Sequence, residues 1–196
     1  ALVRHGLEQL TEMPLQLPEI SKDLRKLLAF GSGVGIEIAG ETLEIAAARV
    51  RPTRIDVLGR LAIANFANRP AAEWGGEYAR FLKSLGLGHL SATVLLPRRE
   101  VIVRQIALPG VAPKDTESAI RFQIDTLHPY GEDDVVWGWS RLSYGAMLIG
   151  VVRRDVIERY HTLFAEAGVL VASFTFSAAA VHAAIRLNGA LPDGGF

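Results

Sequence analysis

The 196-residue chain contains no cysteine. Disulfides, thiolate nucleophiles and cysteine-ligated zinc are therefore excluded, and a reducing compartment is the natural setting. Net charge is lacking too, because 21 Lys+Arg balance 21 Asp+Glu. No global field draws the chain to nucleic acid or to an anionic membrane, and no nucleic-acid partner is expected. No apolar run reaches the ~20 residues that cross a bilayer, and no charged-then-apolar leader opens the sequence, so no membrane span is expected. A G-x-S-x-G elbow and a P-loop are both missing. The five histidines, His5, His89, His128, His161 and His182, fall in separate segments without the spacing of a helical metal motif. Internal repeats and low-complexity tracts are also absent.

What remains is an ordinary globular composition, 49% hydrophobic and 21% charged, in a chain long enough to bury a substantial core. The start at Ala1 and the LPDGGF ending read as part of something longer. Residues 1–32 read as an N-terminal arm followed by a short amphipathic helix opened by Ser21. In 33–39, Val34, Ile36 and Ile38 alternate with Glu37 on the opposite face, which predicts a strand. Gly40 marks a tight turn, LEIAAARV returns, and residues 55–63 supply a third strand, giving a meander. Trp74, Tyr78, Phe81, Leu82 and Leu85 share a helical face that stops at Gly86 or Gly88, and SATVLLP is a compact apolar strand.

The order then changes. Residues 99–152 read β-α-β-β: a strand over EVIVRQIALP, a helix from Pro113 to before Pro129 with Ile120, Ile124 and Leu127 inward, then DVVWGWSRL and AMLIGVVRR. A helix with Val156, Tyr160, Phe164 and Ala167 on one stripe, a strand VLVASFTF and an alanine-rich helix follow. The economical parse is an α/β layer made of 33–98 and 153–196, interrupted by a small subdomain at 99–152.

Several motifs carry two readings. GSGVG precedes a strand that folds back as a hairpin, not a helix, so it lacks the context of a dinucleotide loop. Arg49, Arg51 and Arg54, with the Arg98-Arg99 and Arg153-Arg154 pairs, make a solvated rim or contacts to acidic lipid or an acidic partner. Glu132, Asp133 and Asp134 form a charged loop. Trp137 and Trp139 stand two apart on one strand face, as part of a small core with Tyr130 and Phe122 or as a platform for a partner.

From residue 94 onward, VLLPRREVIVRQIALPGVAPKDTESAIRFQIDTLHPYGEDDVVWGW and MLIGVVRRDVIERYHTLFAEAGVLVASFTFSAAAVHAAIRL resemble PilM, the actin-like cytoplasmic protein family of type IV pilus assembly. Four features carry the likeness. They are the IALP strand end at 106–109, the helix running into Leu127-His128-Pro129-Tyr130, the acidic loop before an aromatic strand, and the VVRRDVIERY helix followed by EAGV. The cytoplasmic domain of GspL, from type II secretion, has a related fold. The resemblance implies a ribonuclease-H-like, actin-like lobe with an inserted subdomain. It also implies a cytoplasmic, non-catalytic scaffold, peripheral at the bacterial inner membrane, that docks a PilN-like cytoplasmic peptide of an inner-membrane protein. Homo-oligomerisation is left open. By position, the partner surface would involve Pro129, Tyr130, Trp137 and Trp139. The family's phosphate hairpin, Asp-Ile-Gly-Ser-Ser-x-x-Lys, maps onto Glu37, Gly40, Glu41 and Thr42. Glu37 replaces the aspartate, Gly40 comes one position late, and no lysine follows. No cofactor is expected for this chain, ATP-Mg being reserved for a two-lobed parent, and catalysis of the sugar-kinase or actin-like ATPase kind needs that second lobe.

Overall fold

The computed structural model describes residues 31–51, 54–142 and 145–188. Of the arm and short helix expected over residues 1–32, residues 1–30 lie outside the described residues, as do those from 189, and Gly31 and Ser32 already belong to the first strand. The alternation of residues 33–39 is realised as β1 (Gly31–Ala39), which buries Val34, Ile36 and Ile38 and leaves Glu37 exposed. Its partner β2 (Thr42–Arg51) returns antiparallel and β3 (Arg54–Ala64) completes the meander, with a bulge at Ala47/Ala48. Helix α1 (Ala71–Ser84) then crosses over to β4 (Ala92–Leu96), parallel to β1. After the insertion, α3 (Arg154–Glu166) leads to β8 (Val171–Phe176), parallel to β4, and α4 (Ser177–Asn188) follows. The sheet order is β3-β2-β1-β4-β8. Such a mixed sheet, a meander extended by parallel crossovers, is the ribonuclease-H-like, actin-like lobe.

One face of this sheet carries the large core. Trp74, fully buried, stands edge-on between Phe66 and Phe164, at 6.2 and 5.8 Å between ring centroids and near-perpendicular planes. Quadrupoles favour that T-shaped arrangement. The ridge of α1 approaches the end of α3 so closely that a Cβ on Gly75 would stand 2.0 Å from the Ala167 carbonyl oxygen. Both helices end alike. Gly86 (φ 71°) and Gly168 (φ 71°) take the left-handed conformation, with Leu87 N–H donating to Leu82 C=O and Val169 N–H to Phe164 C=O. This is the Schellman closure, and Leu87 and Val169 beyond it are buried. Tyr78, one turn after Trp74, is buried, and burial pushes its hydroxyl pKa up to about 12.

The insertion builds a second sheet of three antiparallel strands, β5 (Val101–Ala107), β6 (Val135–Arg141) and β7 (Ala146–Arg153), in the order β5-β7-β6. Its helix is shorter than the expected stretch from Pro113 to Pro129. Turns of 3-10 helix at Pro113–Asp115 and Ile124–Thr126 flank α2 (Thr116–Gln123). A separate core of Leu108, Ile120, Ile124, Val135, Met147, Ile149 and Val151 joins α2 to the sheet. Strand β7 serves both cores. Met147, Ile149 and Val151 point into the small one, whereas Val152 lies in the large one with Leu148 packed against it. Between them Gly150 accepts the Phe176 ring, where a Cβ would come within 2.3 Å of a ring carbon. A strand buried on both faces shows no alternation, hence the continuous apolar run MLIGVV.

Candidate functional site

Two places drew attention in the sequence, the β1–β2 hairpin and the aromatic stretch of the insertion. The hairpin closes through a two-residue turn, Gly40-Glu41, with Ala39 opposite Thr42. Gly40 has φ 64° and Glu41 is not among the positive-φ residues, the pattern of a type II′ turn. The Glu41 carbonyl accepts a hydrogen bond from Phe66 N–H at 3.3 Å, which ties the tip to a core aromatic. Glu37 is exposed and lies directly across from Glu44, with Leu95 of β4 on its other side.

Like charges face to face across an antiparallel pair repel. No basic side chain stands between Gly33 and Ala48 to offset them. A phosphate brought to this hairpin would meet the two carboxylates first, the nearest cation on this face being Arg60 of β3, which pairs with Ala46 beside Glu44. Among the described residues, no group of three or more His, Asp or Glu side chains is placed to hold a metal ion. The rest of this sheet face is small: Gly35 pairs with Ala46 and Gly33 with Ala48, and a Cβ on either glycine would meet nothing within 4 Å.

In the insertion, the predicted partner residues separate into two groups. Pro129 and Tyr130 follow α2, and both are exposed, Tyr130 at 41%. His128 beside them is buried and stacks on Tyr130 at 6.0 Å. Its Nδ1 accepts the Tyr130 N–H at 3.2 Å, so that nitrogen carries no proton, and Nε2 is buried without a partner.

Trp137 and Trp139 lie along β6, the edge of the small sheet. Trp137 is half-buried against the small core, with the Arg121 guanidinium 6.0 Å from its ring centroid. Trp139, on the same face, is 38% exposed. The expectation that Phe122 packs with this pair is corrected: Phe122 is 91% exposed. At 100° per residue it points away from the side of α2 that buries Ile120 and Ile124.

Polar contacts brace the two ends of β6. Arg141 donates to the hydroxyl of buried Thr116 at 3.1 Å, pinning the strand's end to the start of α2. Arg154 donates to the Asp133 carbonyl at 3.0 Å and the Val135 carbonyl at 3.3 Å, which anchors the Glu132–Asp134 turn and the strand's beginning to α3. Sequence reasoning missed both arginines as braces. Their carbonyl and hydroxyl partners leave no charge signature to read.

No protein-family profile and no curated protein matches the chain. Among solved structures, the lobe is similar to PilM in the PilM–PilN type IV pilus biogenesis complex, with a TM-score of 0.56 and 17% identity over 74% of this chain and 47% of that one. It is also similar to the cytoplasmic domain of EpsL, an inner-membrane component of the type II secretion system of Vibrio cholerae. That alignment has a TM-score of 0.50 and 14% identity over 74% of this chain and 57% of that one. The chain thus spans about half the length of the solved structures it matches. At these identities the likeness establishes the actin-like fold.

Proposed function

We propose that the chain is a PilM-like lobe of a non-catalytic scaffold in a bacterial pilus or secretion machine. It works at the cytoplasmic face of the inner membrane and docks the cytoplasmic tail of an inner-membrane protein on its inserted subdomain. The observation that carries this reading is the shared fold with PilM, whose solved structure is a complex with PilN. The insertion supports it by presenting Tyr130 and Trp139 to solvent on a braced framework. Aromatic side chains of this kind are common anchors of interfaces.

The hairpin's chemistry favours a scaffold over an ATPase. Glu37 opposite Glu44, on a hairpin with no basic residue between Gly33 and Ala48, disfavours phosphate, and phosphoryl transfer needs preorganised positive charge around the transferred group. In this reading Glu37, Gly40, Glu41 and Thr42 form a structural turn and ATP-Mg has no role in the chain itself. Titration calorimetry of a two-lobed parent with Mg-ATP should be flat, and tight binding abolished by Glu37→Ala would reverse this part of the proposal.

The scaffold reading is tested by pull-down with the cytoplasmic segment of a PilN-type protein. Retention by the folded chain is expected, and failure with both lobes present would overturn it. The likeness to the EpsL cytoplasmic domain supports a second assignment, to type II secretion. A membrane-spanning segment encoded beyond residue 196 in the parent gene would select it.

A further inference from the structure

Four strands form the edges of the two sheets, β3, β8, β5 and β6. Exposed edges invite unwanted pairing, and charge, bulges, short length or covering elements normally blunt them. Three of the four are treated this way. β3 carries Arg54, Asp56 and Arg60, with an Arg54–Asp56 ion pair at 3.1 Å and a bulge in its pairing with β2. β5 carries Arg104 and Gln105, both exposed. β8 is short, and α3 and α4 lie against it.

β6 is different. From Val135 to Ser140 it reads VVWGWS without a charge, a proline or a bulge, and it pairs with β7 in unbroken register over all seven residues. Alternate residues of such an edge direct N–H and C=O groups away from the sheet. The first of these carbonyls, on Val135, is held by Arg154, so the stretch open to a partner runs from Trp137 to Arg141.

Resting on the docking reading above, we infer that the β6 edge is a strand-addition site. There an extended segment of a partner protein pairs with Trp137–Arg141, lays apolar side chains over Trp139, and sets a carboxylate against Arg121 and Arg141. Main-chain pairing supplies affinity without sequence demands, and side chains at alternate positions supply specificity. The charge pattern selects the occupant. Arg121 sits over Trp137 and Arg141 ends the strand, both exposed, with Glu117 as the nearest counter-charge, 3.4 Å from Arg121. A second copy of this chain is a poor occupant. Antiparallel self-pairing centred on Gly138 would place Arg141 of one copy across from Val135 of the other, whose carbonyl already holds Arg154. Two guanidiniums would then crowd each end of the ribbon, whereas an extended segment that brings its carboxylate to the Arg121 and Arg141 end, away from Asp133 and Asp134, meets no such repulsion.

The test uses the full chain and two kinds of probe: a synthetic cytoplasmic segment of a PilN-type protein, and heptapeptides enriched from a random display library. Hydrogen exchange should show new protection at β6. N-methylation of alternate peptide amides and Trp139→Ser should each weaken binding at least tenfold. Arg121→Glu should weaken it severalfold and flatten its salt dependence, while Val57→Ser, at an exposed apolar residue of the β3 edge, should leave it unchanged. Thermal melts and circular dichroism of each variant separate loss of binding from loss of fold. If the PilN-type segment binds with its protection elsewhere, or survives N-methylation and Trp139→Ser, edge docking is overturned and the scaffold reading stands. Enriched heptapeptides protecting β6 while the PilN-type segment fails to bind would support the edge and overturn the PilN-like assignment. Protection of β6 by neither probe, or equal losses from Val57→Ser and Trp139→Ser, would overturn the edge.

Discussion

The two sheets bury their surfaces in opposite ways. The five-stranded sheet hides one face beneath α1 and α3 and leaves Gly33, Gly35 and the Glu37–Glu44 pair open on the other. The three-stranded sheet covers a face with α2 and turns the other to the main lobe, through Val152, Leu148 and the Phe176 ring over Gly150. What it leaves open is an edge. A face can hold large side chains but offers no main-chain groups, whereas an edge offers both. In the reading proposed above, the insertion recognises an extended segment along its uncharged β6 edge, and the main lobe, whose β3 edge is charged and whose β8 edge is covered by helices, is its support.

That contrast can be broken at graded cost. The largest effect should come from Trp74→Ala, which removes the ring joining Phe66 to Phe164 and should destabilise the main lobe by about 3–5 kcal/mol. Chemical denaturation read by circular dichroism checks it. Because β7 serves both cores, the insertion should melt in the same transition.

Next comes alkaline pH. Tyr78 has its pKa raised by burial from 10.0 to about 12, so its proton is held more tightly in the folded state than in the unfolded one. Its contribution is complete below pH ~10 and is lost as pH rises towards ~12, up to about 2–3 kcal/mol. Denaturation midpoints across that window should fall in the wild type and fall less in Tyr78→Phe.

Gly150→Ala puts a methyl group against Phe176 and should cost about 1–3 kcal/mol. Exchange should rise first in β5, β6 and β7, which would show that the sheets separate there. The smallest change is expected from Glu37→Gln. Relieving the repulsion with Glu44 should stabilise by a few tenths of a kcal/mol at low salt, and the gain should shrink as salt is added.

Much of the fold could be read locally. The alternation of Val34, Ile36 and Ile38 and the stop glycines Gly86 and Gly168 all depend on neighbours a few residues away. The site was legible only in part. Trp137 and Trp139 stood out, but nothing in DVVWGW says that this strand lies at an edge, because sheet order is set by distant partners. Phe122 was misassigned although the helical period itself, counted from Ile120, turns it outward. Gly150 inside an apolar run was a readable sign of close approach that only the Phe176 ring explains. The hairpin shows the converse. The resemblance leads one to expect a phosphate loop at Glu37 and its turn, but Glu44 as its cross-strand neighbour follows from the tightness of the Gly40-Glu41 turn.

The pairing of Val101 with Val152 at the root of the insertion has a kinetic corollary. β4 and β8 must meet in parallel although the whole insertion and α3 separate them in sequence. Once β5 and β7 have paired, that gap shortens by about two-thirds, which lowers the closure entropy by roughly 1 kcal/mol. A folding route in which the small sheet forms early and then draws in β8 is thereby favoured. In that route, the insertion acts as a clasp that lets the lobe around it close.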